Sequence, residues 1–139
     1  MNYNFIAIEG TIGAGKTSLA TMISERLNAR LILEQFEDND FLPKFYRDPS
    51  KYAFPLELSF LASRFQQLKN ELSVTDLFRP LTISDYFINK SLIFARKTLA
   101  DDEFALYSRL FNLINLSIPR PDLLVYLYVS VQRLKENIA

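Results

Sequence analysis

Apolar residues along this chain fall into two rhythms that take turns. Short unbroken runs, "FIAIE" (5–9), "RLILEQF" (30–36), "PLTISDYF" (80–87) and "PDLLVYLYV" (121–129), read as buried strands. Between them the apolar positions recur at helical spacing. Leu19, Ala20, Met22, Ile23 and Leu27 mark a helix over 16–29, and Leu56, Phe60, Leu61, Phe65 and Leu68 mark a long one from near Pro55 to Leu72. Residues 89–99 and 101–117 read as two more helices, the second with an acidic start. The segment 39–50, broken by Pro43 and Pro49, is irregular or briefly helical, and Ser130 is placed to cap a last helix. Strands alternating with helices predict an α/β fold with a central parallel sheet. Function in such a sheet gathers at the carboxyl ends of the strands, here just after residues 9, 34, 85 and 129.

Composition narrows the chemistry. All three glycines of the 139 residues, Gly10, Gly13 and Gly15, fall in one short loop. Cysteine is absent, which removes disulfides and thiolate chemistry and fits a reducing, cytoplasmic setting. Histidine is absent too, so a general base has to be a carboxylate, or else a lysine or tyrosine. The formal net charge is zero, which advertises no nucleic-acid polymer. No apolar run approaches the ~20 residues that span a bilayer, so no membrane partner is expected.

Residues 10–17 read G-T-I-G-A-G-K-T: Gly10, Thr11, Ile12, Gly13, Ala14, Gly15, Lys16, Thr17. This is the G-x-x-x-x-G-K-[ST] pattern in its required setting, strand before and helix after. The glycines let successive N–H groups converge on phosphate oxygens at the positive end of the helix. Lys16 is expected on the β- and γ-phosphates of ATP and the Thr17 hydroxyl on Mg²⁺. A plain glycine turn would not call for Lys-Thr after it.

A switch GTPase needs a glycine after the third strand, and none follows Gly15. "NKSL" (89–92) lacks the aspartate of a guanine-reading N-K-x-D, and motor ATPases need a longer chain. A small-molecule kinase remains. Glu34, at the end of the second strand, is placed to accept a hydroxyl proton, though a glutamate there can simply be solvated. Asp85, ending the third, suits a metal or a hydroxyl, or else caps the next helix. Glu57 and Arg64 lie two turns apart on one helix face, ~10 Å end to end. The spacing alone slightly favours a salt bridge over a polar patch in a pocket.

These residues, taken in order, resemble the deoxynucleoside kinases, and among them the bacterial deoxyguanosine kinases. The resemblance runs through "FIAIEGTIGAGKTSLATMIS", "LEQFEDNDFLPKFYRDP", "FPLELSFLASRFQQL", "SDYFINKSLIFARKTL" and "IPRPDLLVYL", essentially the whole chain. It implies an ATP- and Mg²⁺-dependent 5′-kinase of nucleotide salvage acting on a small-molecule deoxynucleoside. Glu34 becomes the catalytic base, Tyr46 the partner of the sugar 3′-hydroxyl, and Glu57 with Arg64 the readers of the base.

Glu57 stands where many members carry glutamine. An ionised carboxylate only accepts, and so fits the adjacent N1–H and N2–H donors of guanine. The family's acid-Arg-Ser at the third strand is here Asp85-Tyr86-Phe87, and Lys90 is a candidate for the missing charge near the 5′-position, or a solvated helix lysine. The expected reading is one kinase domain over 1–139, incomplete before the lid and fifth strand. Deoxyadenosine or broad specificity, or a silent nucleotide-binding module, are the alternatives. The resemblance allows a homodimer through surface helices, which no residue here fixes.

Overall fold

A computed structural model of the chain describes residues 3–11, 14–35, 39–74 and 76–128, and residues 130, 132 and 136. The chain divides into two compact units. The first comprises Met1–Glu34, Val74–Phe87 and Arg120–Ala139, and the second Gln35–Ser73 and Ile88–Pro119.

The first unit holds the sheet. Its strands are β1 (Phe5–Gly10), β2 (Arg30–Ile32), β3 (Thr82–Ser84) and β4 (Leu123–Leu127), in the order β2-β3-β1-β4 and parallel throughout. Phe5, Ile6, Ala7 and Ile8 are all buried, as an unbroken apolar run in a central parallel strand requires. Helix α1 (Lys16–Leu27) lays Leu19, Ala20 and Ile23 on the cluster of Ile6, Ile8, Ala29 and Ile83. It stops short of its expected end because Asn28 turns left-handed (φ 51°), and the Ala29 N–H returns to Ser24 O at 2.8 Å. At the opposite end of the sheet Asp122 accepts the N–H groups of Asn4 and Phe5 at 2.6 and 2.9 Å. Those two bonds hold its carboxyl below the usual range.

Strands β2 and β3 are shorter than their apolar runs. Tyr86, Phe87 and Ile88 stay buried beyond β3, but side chains replace the ladder there. The Ser84 hydroxyl donates to Tyr86 O at 2.7 Å, and the Phe87 N–H donates to Glu9 Oε1 at 2.6 Å. Beyond β2 the Glu34 N–H turns to Asp85. Period alone cannot show where a buried run leaves the ladder.

The second unit is helical: α2 (Phe41–Arg47), α3 (Pro49–Leu72), α4 (Lys90–Thr98) and α5 (Asp101–Asn115). Helix α2 forms despite Pro43, which sits in the first turn, where a missing N–H costs little. The Asn39 side chain accepts the Phe41 N–H at 2.9 Å and donates to Ser59 at 2.6 Å. Helix α3 begins at Pro49, not near Pro55: Pro49 takes the first turn and Pro55 lies inside. Ala53, Leu56, Glu57, Leu61 and Leu68 form its buried stripe, met by Ser91 and Ala95 of α4 and Tyr107 and Phe111 of α5. Asp101, Asp102 and Glu103 place negative charge at the start of α5. The helix expected after Ser130 falls largely outside the described residues.

Candidate functional site

In the first unit β1 runs straight into the glycine loop. Gly10 is required by close approach: a Cβ there would stand 2.9 Å from Leu127 O of β4. Gly15 is required by conformation, since it precedes α1 at φ 91° with open space around it. Between them the Ala14 N–H bonds Thr11 O at 3.1 Å. Ile12 and Gly13 lie outside the described residues. Lys16 folds back, its Nζ donating to Gly10 O at 3.3 Å.

The next residue reaches across to β3. Thr17 Oγ1 donates to Asp85 Oδ2 at 2.7 Å, and the other carboxylate oxygen accepts the Glu34 N–H, also at 2.7 Å. Asp85 is buried and does not cap the next helix, which starts after Asn89. It joins the start of α1 to the end of β2. Glu9 was not singled out from sequence, yet it does similar work by holding the Phe87 N–H. A hydroxyl and a carboxylate in contact form a pair of hard oxygen donors, the type Mg²⁺ takes.

In the second unit Glu57 and Arg64 stand on the same face of α3, as their spacing predicts, but no direct hydrogen bond joins them. Arg64 Nη1 donates to Ser91 Oγ at 2.9 Å, and its guanidinium lies 5.5 and 6.0 Å from the Phe60 and Phe94 ring centroids. Glu57 Oε1 lies 3.0 Å from the Thr98 hydroxyl, while Oε2 is buried without a partner. The salt bridge favoured by spacing alone gives way to two separate polar contacts with α4. Burial raises the Glu57 carboxyl above the usual range; the Thr98 hydroxyl and the Arg64 charge act against that rise.

Tyr107 of α5 completes this cluster, fully buried, with its hydroxyl in no full hydrogen-bond geometry. Burial pushes the phenol up to about 12; Ser91 and Arg64 oppose the rise and Glu57 adds to it. Thr98, Ser91 and Tyr107 were not read from sequence. The available signal was that Ser91 and Thr98 repeat on α4 the two-turn spacing of Glu57 and Arg64. The pairs match in reverse order, as antiparallel helices require.

Tyr46 on α2 is 75% exposed, its ring 6.0 Å from that of Phe45. Lys90 opens α4 with its Nζ 5.8 Å from the Phe94 ring centroid.

A parallel sheet whose first strand feeds a phosphate-type loop and a helix, with a buried acid on the adjacent strand, defines a P-loop nucleotide-binding domain. The family model described as deoxynucleoside kinase matches residues 6–139, and the chain belongs to that family. It is 40% identical over 138 residues to a deoxyguanosine kinase of Bacillus subtilis, covering 96% of this chain and 65% of the relative. It is 36% identical over 134 residues to a deoxyadenosine kinase of Dictyostelium discoideum, covering 96% of this chain and 55% of the relative. Among solved structures it resembles the deoxyadenosine kinase of M. mycoides with bound dATP, with a TM-score of 0.74 and 27% identity. That match covers 96% of this chain and 69% of the other. The chain thus spans between 55 and 65% of the length of these curated relatives.

No helix of the described residues is long and apolar enough to cross a membrane.

Proposed function

We propose that residues 1–139 belong to a single kinase domain that transfers the γ-phosphoryl group of ATP to the 5′-hydroxyl of a deoxynucleoside, with deoxyguanosine preferred, in cytoplasmic nucleotide salvage. One observation carries the preference: Glu57, where a glutamine would offer one donor and one acceptor, is a buried side chain with one oxygen unpartnered. An acceptor-only carboxylate matches the paired donors of guanine and mismatches the acceptor N1 of adenine.

In this reading the 10–17 loop holds the triphosphate by its N–H groups, and Lys16 leaves Gly10 O to meet the β- and γ-phosphates. Thr17 and Asp85 would hold Mg²⁺, which supplies positive charge to the phosphates. Asp85 also fixes the backbone of Glu34, whose carboxylate accepts the 5′-hydroxyl proton. Phosphoryl transfer is chiefly positioning and charge neutralisation, so a base of ordinary carboxylate strength suffices. Tyr46 binds the 3′-hydroxyl, Arg64 flanks the base and Lys90 lends charge near the 5′-position.

Initial rates with deoxyguanosine and deoxyadenosine in competition test the reading. A deoxyguanosine advantage in kcat/KM of roughly 5- to 150-fold is expected, the equivalent of ~1–3 kcal/mol for one mismatched buried polar group. Equal rates, or a deoxyadenosine advantage, contradict it.

A further inference from the structure

Two rings and one hydroxyl hold Arg64. Its guanidinium lies over the Phe60 and Phe94 rings, 5.5 and 6.0 Å from their centroids, which restrains its distance from each. Its direction is set by the bond from Nη1 to Ser91 Oγ at 2.9 Å. A hydroxyl both donates and accepts, and Ser91 serves Arg64 only while a lone pair, not the proton, faces the guanidinium. The Ser91 proton therefore needs an acceptor elsewhere.

Ser59 of α3 shows the complete arrangement in this same unit. It accepts the Asn39 amide at 2.6 Å and passes its own proton to Leu56 O of its helix, also at 2.6 Å. Ser91 accepts Arg64 in the same way, but among the described residues it makes no matching bond to a carbonyl oxygen of α4. Its neighbour is the Tyr107 hydroxyl of α5, buried and short of a full hydrogen bond.

We propose that Tyr107 is a positioning residue for base selection: its phenol oxygen takes the Ser91 proton, keeps the Ser91 lone pairs turned to Arg64, and so fixes the guanidinium beside the base. The chain from Tyr107 through Ser91 to Arg64 joins three helices, α5, α4 and α3. Its consequence for base selection rests on the reading of Arg64 under Proposed function.

The surroundings agree. Phe111, one turn further along α5, is buried as Tyr107 is but carries no hydroxyl, so packing does not by itself call for one at 107. A buried hydroxyl without a full hydrogen bond costs stability that a phenylalanine would not. Ser91 acts on the phenol as a hydrogen-bond donor, opposing the rise that burial causes. With that rise reaching about 12, the phenol stays protonated at neutral pH and acts by hydrogen bonding, not by charge.

The first test reads Arg64 directly and needs no substrate. The ¹⁵N NMR signals of its guanidinium are assigned by their loss in R64K. In Y107F, which removes only the hydroxyl, rotation of the guanidinium about its C–N bonds is expected to be several-fold faster than in the unaltered chain. Unchanged rotation overturns the inference.

The second test reads substrate. Y107F is expected to raise the KM for deoxyguanosine roughly 2- to 12-fold, the worth of one net hydrogen bond, with kcat little changed. S91A is expected to raise it as well, and the double variant Y107F/S91A to be no worse than S91A alone, because both act through one chain. An unchanged KM in Y107F together with unchanged rotation, or effects that multiply in the double variant, returns Tyr107 to a packing role. If rotation quickens in Y107F while KM stays the same, the positioning of Arg64 stands and its reading of the base has failed. If deoxyadenosine proves the better acceptor and its KM shows the same non-additive pattern, the chain stands and the guanine preference has failed.

Discussion

Asp85 accepts the Thr17 hydroxyl at 2.7 Å, and with its other oxygen it accepts the Glu34 N–H at the same distance. One buried carboxylate thus registers the helix that follows the phosphate loop against the strand end that carries the proposed base. Removing it does two separable things. D85A strands a hydroxyl and a backbone N–H, and a loss of about 2–4 kcal/mol in stability is expected from chemical unfolding. D85N keeps an acceptor for Glu34 and, with its amide, a donor for Thr17. It is expected to fold nearly as stably while losing most phosphoryl transfer, because the negative charge proposed to help hold Mg²⁺ has gone.

Lys16 Nζ donates to Gly10 O at 3.3 Å, back across the loop that its charge is proposed to serve. K16M is expected to change the melting temperature far less than it changes turnover. It should lower kcat by roughly 10²–10³-fold, the effect of deleting one group that stabilises transition-state charge. Thermal unfolding beside steady-state rates checks both halves.

The two described loop glycines should fail differently. In G10A the new methyl meets the Leu127 carbonyl oxygen at 2.9 Å, so β1 and β4 must part, at about 1–3 kcal/mol. In G15A nothing is struck, and only the φ of 91° is penalised, at roughly 1–2 kcal/mol. Adding ATP, the proposed phosphate donor, discriminates further. ATP should stabilise the unaltered chain in thermal melts, and G15A, which moves the N–H groups at the helix start, should lose more of that increment than of its intrinsic stability.

Glu57 links stability to pH. Its folded-state pKa lies above the ordinary 4.5 because burial disfavours the charge. Well below that value the group is neutral in both folded and unfolded chains, and costs nothing. As pH rises the unfolded chain ionises first, so stability falls through the interval up to the folded pKa and stays lowered above it. E57Q, neutral at every pH, is expected to gain melting temperature relative to the unaltered chain as pH rises from about 4 to about 8, with no gain at the acid end. Parallel melts across that range provide the check. The same variant, now offering a donor and an acceptor, should move base preference from deoxyguanosine toward deoxyadenosine.

The first unit was legible because its signals are local. The strand–glycine–helix sequence at 5–27 needs no distant partner to be read, and the acids closing 30–34 and 81–85 follow from strand ends. What escaped was non-local. Nothing in "SDYF" shows that Ser84 and Glu9 take over the hydrogen bonds where β3 stops. Pro55 looks like a helix start until Pro49 is seen to occupy the first turn. Glu57 and Arg64 were found as a pair by spacing, but their partners Thr98 and Ser91 lie on another helix. Only the antiparallel packing of α3 and α4 brings the two matched spacings together.

The role of Glu34 is the most exposed claim. Steady-state phosphorylation of deoxyguanosine by E34Q, set against the unaltered enzyme, tests it most directly. The account predicts a kcat lower by about 10²-fold or more, the contribution of a positioned general base, with the KM for deoxyguanosine little changed. A kcat equal to that of the unaltered enzyme would contradict it.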